Sequence, residues 1–230
     1  MSKGPTIVVE NWEGKNNTPE RYESFKKMGL YRNLNTVCVI PTRGKMLTKV
    51  ALNWMNMAAG FNSGFVRVMI EACEVGAAYN YALSMILNNP GLVNFKYMLT
   101  LEEDNTVPPD GLLRLLEGIQ EYDAVSGLYW TKGVSGVPQI WGDPNTETFV
   151  PQPPLINTLQ RCNGTGMGFV LWRLEMFRDP GFVQGEWFKT AMEVSEGGPC
   201  TQDLYFWARA KKLGYRCAVD TRVKVGHVDE

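Results

Sequence analysis

The feature that most constrains the fold of this sequence is a regular alternation of strand-like and helix-like segments between residues 36 and 130. Apolar, β-branched runs typical of buried strands alternate with longer helical segments that end near glycine or Asn-Pro-Gly. The predicted strands are 36–41, 64–72, 95–102 and 124–130, and the predicted helices between them are 46–60, 75–91 and 109–122. This alternation is typical of βαβ units. It predicts an α/β fold with a mostly parallel sheet and helices on both faces.

The segments on either side of this core are less regular. A short strand at 6–10 and a helix at 16–29, with Thr18 as its N-cap and Pro19 at its first position, precede the core. The second half begins with an irregular, proline-rich segment at 135–157. Further elements predicted there are a Gly-rich turn, strand and helix over 162–177, a helix at 204–214 and a final pair of strands at 216–230.

No stretch has the composition of a domain linker, so we expect a single domain. We divide it into three parts: an N-terminal strand and helix (1–35), the alternating half (36–130) and a specialised half (131–230).

Charge and composition exclude several classes of protein. The formal net charge is −1, which gives no overall attraction to nucleic acid or to an acidic membrane. Five cysteines without a C-x-x-C pair argue against a disulfide framework or a zinc knuckle. No segment is typical of a signal peptide or of a membrane span. We therefore expect a cytoplasmic protein, and attachment to a membrane surface stays open.

A cluster of like charges ends the third predicted strand. Glu102, Glu103 and Asp104 follow an apolar run, and adjacent carboxylates raise one another's pKa unless a cation neutralises them. Because alternate residues of a strand share a face, we expect Glu102 and Asp104 to point together, with Glu103 opposite. Oxygen ligands of this kind suit Mg²⁺ or Mn²⁺. A solvated acidic turn before the helix at 109–122 is the alternative interpretation.

Three further features are ambiguous when each is taken alone. His227, the only histidine, follows the last strand and could be a ligand or a structural residue. Asp203 opens a helix, where an acid ordinarily serves the cap or the helix dipole. The segment "NGTGMG" (163–168) lacks the strand and helix context of a dinucleotide-binding loop, and we interpret it as a flexible turn that can approach a ligand.

Taken in order, these features resemble the GT-A fold nucleotide-sugar glycosyltransferases, in particular the family 2-like group. The resemblance covers roughly residues 36–229 and implies a Rossmann-like, mostly parallel sheet flanked by helices. It is carried by "CVIPTRG", "GAAYNYALS", "LEEDNTVPPDGLLRLL", "DAVSGLYW", "CNGTGMGFVLWRLEMF", "TQDLYFWARAKKLGYRCAVD" and "VKVGHVD".

The resemblance implies a metal-dependent sugar transfer from a nucleotide sugar to an acceptor hydroxyl. Glu102 and Asp104 stand where the family carries its D-x-D motif. Asp104 would bind the Mn²⁺ or Mg²⁺ that bridges the donor diphosphate, and Glu102 would face the ribose or support the metal. His227 stands at a further metal-ligand position. Asp203 stands at the position of the catalytic base of inverting members.

The resemblance also implies a donor site in the half 36–130 and an acceptor site in the half 131–230. A UDP-sugar is the first expectation for the donor, and a GDP-sugar is the second. The residues expected at the donor are Pro41, Thr42, Arg43, Glu71, Asn80, Glu102, Glu103, Asp104, Gly164, Thr165 and Gly166.

Departures from the family pattern leave donor identity and stereochemistry open. Tyr79 replaces the arginine usual before Asn80, and Gln202 replaces the acid usual before Asp203. The acceptor could be a glycan, a lipid-linked sugar, a protein or modified nucleic acid. Two alternatives to a glycosyltransferase are a nucleotidyltransferase on a related sheet and a non-catalytic nucleotide-sugar-binding module. The first would need a more glycine-rich, basic loop than "PTRGK", and the second would not need Asp203.

Overall fold

The computed structural model describes residues 18–29, 34–60, 63–71, 73–133, 135–190 and 201–228. The predicted strand at 6–10 and most of the loop before the last helix lie outside these ranges. Within them, no helix is both long enough and apolar enough to cross a bilayer.

The chain forms five α-helices, one 3₁₀ helix and eleven short or long strands within the described residues. The helices are α1 (Thr18–Lys27), α2 (Thr48–Met55), α3 (Val75–Asn88), α4 (Gly111–Gly118), a 3₁₀ helix (Leu174–Arg178) and α5 (Gln202–Lys212). The first strands are β1 (Thr36–Thr42), β2 (Phe65–Glu71), β3 (Tyr97–Leu101), β4 (Asn105–Thr106), β5 (Ala124–Leu128) and β6 (Ile140–Trp141). The later strands are β7 (Leu159–Cys162), β8 (Gly164–Thr165), β9 (Phe169–Arg173), β10 (Cys217–Lys224) and β11 (Gly226–His227).

The central sheet has seven strands in the order β2-β1-β3-β9-β5-β10-β7. Strands β1, β2, β3, β5 and β10 run in one direction, and β7 and β9 run against them. The predicted α/β fold with a mostly parallel sheet is therefore confirmed. The sequence did not predict that β9, from the second half of the chain, pairs with both β3 and β5 at the centre.

The sheet is buried on both faces because successive side chains of its strands enter opposite layers. In β1, Val37 and Val39 pack in the layer that contains α3 and α5. Cys38 and Ile40 pack in the layer that contains α1, α2 and α4. Two helical layers on one sheet make a single domain.

The structure corrects several predicted boundaries. Helix α4 begins only at Gly111, after the Pro108-Pro109 pair, and ends at Gly118 rather than at residue 122. The helix predicted up to residue 177 is a single 3₁₀ segment that stops before Asp179-Pro180, where proline disfavours helix in the preceding residue. The last two strands do not pair with each other, because β10 joins the main sheet while β11 pairs with β4.

Candidate active site

The candidate site lies at the carboxyl edge of the sheet, where the loops after several parallel strands meet. The loop after β1, the acidic residues 102–104 after β3, the loop after β5 and His227 in β11 all come from this edge. The chain leaves β3 at Leu101, so residues 102–104 form a turn rather than the continued strand that the sequence suggested.

Neighbouring elements hold this turn from both sides. The Glu102 amide donates to the Gly168 carbonyl (3.1 Å). The indole Nε1 of Trp54 donates to the Asn105 carbonyl (2.8 Å). The Asn53 amide bonds both main-chain groups of Val107, at 3.0 and 2.6 Å. Helix α2 therefore fixes the chain immediately after the acidic residues.

Three potential ligands converge beside the turn. One ligand atom from each of Glu102, Asp104 and His227 lies within 4.8 Å of the other two. The Nδ1 atom of His227 lies 2.9 Å from the Trp130 carbonyl, which can only accept, so Nδ1 must donate. The Nε2 atom of the same ring faces Asp104 Oδ2 at 3.5 Å. The hydrogen bond from Nδ1 to the Trp130 carbonyl fixes the orientation of the ring, as a bond at the second ring nitrogen does for metal-binding histidines.

The three groups perturb one another electrostatically. Burial raises the pKa of Glu102 to about 7, and the charges of Asp104 and Asp203 contribute to the rise. Burial would also raise the pKa of Asp104, but hydrogen bonds from His227 and Lys132 lower it to about 2. The hydrogen bond to Asp104 raises the pKa of His227. The site therefore concentrates negative charge that a cation would neutralise.

These residues fit a divalent cation. The Oδ1 atom of Asp104 is buried and has no hydrogen-bond partner among the described residues, although a carboxylate oxygen in that position ordinarily has one. Two carboxylates and one imidazole nitrogen form a ligand set that divalent metals accept. Glu102, Asp104 and His227 are the residues that could hold the ion.

Glu103 points away from this trio and binds the loop after β1. Its carboxylate accepts hydrogen bonds from the Thr42 hydroxyl (2.6 Å), the Arg43 amide (2.9 Å) and Arg43 Nε (2.6 Å). Burial opposes the change, but these bonds lower the pKa of Glu103. Pro41, Thr42 and Arg43, the three acidic residues of the turn and Lys132 line a cavity of about 270 Å³.

Asp203 lies at the first turn of α5 and is buried, with 7% of its surface exposed. Burial raises the pKa of its carboxyl group, and its Oδ1 atom has no hydrogen-bond partner among the described residues. Its charge also contributes to the raised pKa of Glu102, so the structure brings Asp203 near the acidic turn.

The remaining predicted residues lie around the site with other contacts of their own. The Asn80 amide bonds both main-chain groups of Phe188, at 2.7 and 2.9 Å. Glu71 ends β2, opposite Thr42, and its carboxylate lies beside Gly44.

Gly164 and Thr165 form a buried strand whose Thr165 carbonyl accepts from Trp207 Nε1 (3.0 Å). Gly166 packs against Tyr129 and Gln139. The segment predicted as a flexible turn is thus buried in the core, and donor contacts by these residues stay predictions.

Two residues that the sequence patterns did not single out, Lys132 and Tyr129, lie at the site together with Tyr79. Lys132 places its Nζ 2.8 Å from Asp104 Oδ2. Tyr79 and Tyr129 are buried next to the acidic turn, where burial and the Glu102 charge raise their pKa values well above normal. Lys132 follows β5 as the acidic turn follows β3. Because loops at the carboxyl ends of parallel strands meet at one edge of the sheet, the sequence could also have indicated Lys132.

Comparisons with known proteins give a likeness of structure rather than of sequence. No protein-family profile and no curated protein matches the chain. Among solved structures, A197 from STIV has a TM-score of 0.57 at 18% identity, over 85% of this chain and 86% of that one. S. aureus TarS residues 1–349 in complex with UDP-GlcNAc gives a TM-score of 0.47 at 13% identity, and the match covers 85% of this chain and 60% of that one. A 4-diphosphocytidyl-2C-methyl-D-erythritol synthase gives 0.43 at 9% identity, over 81% of this chain and 88% of that one.

The likeness to A197 extends over most of both chains and is a likeness of fold. The chain therefore has the GT-A fold of nucleotide-sugar glycosyltransferases.

Proposed function

We propose that this protein is a metal-dependent glycosyltransferase that moves a sugar from a nucleotide-sugar donor to an acceptor hydroxyl with inversion. One observation carries the proposal: Glu102, Asp104 and His227 meet within 4.8 Å, beside the buried carboxylate of Asp203. A turn with only a structural role does not need four titratable side chains. One of them, Asp104, has a buried Oδ1 atom without a hydrogen-bond partner in the part of the chain that the structure describes.

The cavity beside the acidic turn is the proposed donor site. Thr42 and Arg43 line it, as do Glu102 and Asp104, two of the three proposed metal ligands. Thr42 and Arg43, held by Glu103, would contact the base and ribose, with a UDP-sugar as the first donor to test and a GDP-sugar as the second. A bound Mn²⁺, or Mg²⁺ as the alternative, would supply Lewis-acid charge to the diphosphate leaving group.

Asp203 is the proposed general base. Its carboxylate would accept the proton of the acceptor hydroxyl while the oxygen attacks the anomeric carbon and the nucleoside diphosphate leaves on the other side. A buried carboxylate with a raised pKa is a stronger proton acceptor than an exposed one, which suits this role.

Binding and turnover can be tested separately. We expect Mn²⁺ together with one nucleotide sugar, from a panel of UDP-, GDP- and dTDP-sugars, to raise the melting temperature of the purified protein. Asp104→Ala should abolish this rise because it removes the central ligand. Asp203→Asn should keep donor binding. It should slow the hydrolysis of the donor by water, measured as release of free nucleoside diphosphate, by about 100-fold or more, on the order of general-base effects.

Glu147→Ala is a matched control, because that carboxylate is exposed and pairs only with Lys211 among the contacts described. It should bind and turn over donor like the unaltered protein. If no nucleotide sugar raises the melting temperature with any divalent metal, the transferase proposal is wrong and the acidic residues form a solvated turn.

A further inference from the structure

Lys132 forms an ion pair with the residue proposed as the central metal ligand. Its Nζ lies 2.8 Å from Asp104 Oδ2, and its side chain is 38% exposed while that of Asp104 is 20% exposed. Among the described residues, Lys132 and His227 form ion pairs with Asp104, whereas Glu103 pairs with Arg43. The lysine therefore supplies positive charge where the metal would supply it.

The same ammonium group also faces the proposed donor site. Lys132 lines the cavity together with Thr42, Arg43 and the acidic turn. It belongs to the exposed loop after β5, and a lysine ammonium is a compact charge on a flexible four-carbon stem. Lys132 can therefore leave Asp104 and remain within the cavity.

Electrostatics gives the direction of such a movement. A divalent cation held by Asp104 would repel the Lys132 ammonium group, whose Nζ lies 2.8 Å from Oδ2 of the same carboxylate, and would weaken that ion pair. A nucleoside diphosphate held at that metal would bring new anionic oxygens into the cavity, where a lysine can bind them as a point charge.

We propose that Lys132 is a positioning residue that neutralises Asp104 when the metal is absent and moves to the donor diphosphate when metal and nucleotide are bound. This inference rests on the proposed function. It predicts that Lys132 opposes metal binding and favours nucleotide binding, two effects of opposite sign that a merely structural lysine would not produce.

The first test measures Mn²⁺ binding alone, without nucleotide, by the electron paramagnetic resonance signal of free Mn²⁺. Lys132→Met should bind Mn²⁺ about fivefold more tightly than the unaltered protein, since it removes a partly exposed competing charge. Lys132→Arg keeps the charge and should bind close to the unaltered protein. Lys224→Met is the matched control, because Lys224 is exposed on β10, and it should leave Mn²⁺ affinity unchanged.

The second test measures UDP binding at saturating Mn²⁺ by calorimetry. Lys132→Met should weaken UDP binding by about fivefold, while Lys132→Arg should restore most of the affinity and Lys224→Met should leave it unchanged. Far-UV circular dichroism of each variant checks that the fold is intact.

Equal or weaker Mn²⁺ binding by Lys132→Met would overturn the competition, as would a protein that binds no Mn²⁺ at all. Unchanged UDP affinity in Lys132→Met would overturn the contact with the diphosphate. A protein that binds Mn²⁺ but no nucleotide would overturn the proposed function and the diphosphate contact together. The Mn²⁺ comparison would still decide whether Lys132 competes with metal.

Discussion

At the scale of single residues, the acidic turn holds charge that the metal-free fold has difficulty accommodating. Glu102 is the clearest case, because burial and the nearby Asp104 and Asp203 raise its pKa to about 7. The charge of Glu103 is balanced by an ion pair with Arg43, and that of Asp104 by an ion pair with Lys132. Within one turn, therefore, the three acids differ in the partners that they find.

Glu102 makes the stability of the metal-free protein depend on pH. Its folded pKa of about 7 lies above the ordinary 4.5. The stability that the folded protein has with Glu102 protonated is therefore fully present below pH 4.5 and is lost as the pH rises through 7. Glu102→Gln, which resembles the protonated form, should therefore stabilise the protein at pH 8 by about 1 to 3 kcal/mol, after allowance for solvent screening, and have little effect at pH 4.5.

Urea unfolding in EDTA at both pH values measures this difference. Glu121→Gln, at an exposed position, is the matched control. A Glu102→Gln variant less stable than the unaltered protein at pH 8 would contradict the assignment of strain to this side chain.

At the scale of elements, helix α2 supports the acidic turn through polar side chains rather than through its apolar face alone. Asn53 and Trp54 are buried, and their side chains bond the main chain at Asn105 and Val107. The site is therefore built on a helix from the first half of the sheet, although none of the proposed ligands belongs to that helix.

Removing the Asn53 side chain should weaken both the fold and the site. Asn53→Ala leaves the buried N–H and C=O of Val107 without their partners, and we expect a loss of about 2 to 4 kcal/mol in the free energy of unfolding. Asn56→Ala is the matched control, because Asn56 is exposed one turn further on and its side chain makes a single bond of 3.4 Å, to the Leu52 carbonyl, among the described residues. It should stay within about 0.5 kcal/mol.

Urea titration of both variants tests this expectation, and Mn²⁺ affinity shows whether the turn has shifted. Equal stability of the two variants would mean that the acidic turn does not depend on α2.

Sequence patterns predicted the main strands and helices because hydrophobic periodicity and Pro or Gly stop signals are local. They also grouped Glu102 with Asp104, although the chain makes a turn there and the strand argument that grouped them does not apply. Contacts between distant segments, such as Asn53 with Val107 or Lys132 with Asp104, leave no mark at short range. The place of β9 in the sheet is also set by tertiary packing, which no local pattern encodes.

At the scale of the whole molecule, one sheet joins two hydrophobic layers. Leu83 of α3 is buried in one layer and Leu112 of α4 in the other. Because every long strand contributes side chains to both layers, a loss of packing on one face weakens the element that the other face needs.

We therefore expect matched substitutions on the two faces to have similar effects. Leu83→Ala and Leu112→Ala should each lower the free energy of unfolding by about 2 to 5 kcal/mol. In each variant, the transitions followed by circular dichroism and by tryptophan fluorescence should coincide. Leu155→Ala, at a position that is 58% exposed, should change stability by about 0.5 kcal/mol or less. Separate transitions for the two probes would show that the layers unfold independently.

The central position of β9 has a consequence for biosynthesis. While the nascent chain leaves the ribosome, the edge of β3 that β9 will cover stays open until roughly 70 further residues have been made, several seconds at about 5–20 residues per second. An open, apolar strand edge is a template for pairing with another chain. During rapid overproduction, pairing of nascent chains through this edge of β3 should therefore be the principal cause of inclusion bodies. Slower translation or a holdase chaperone should raise the soluble yield.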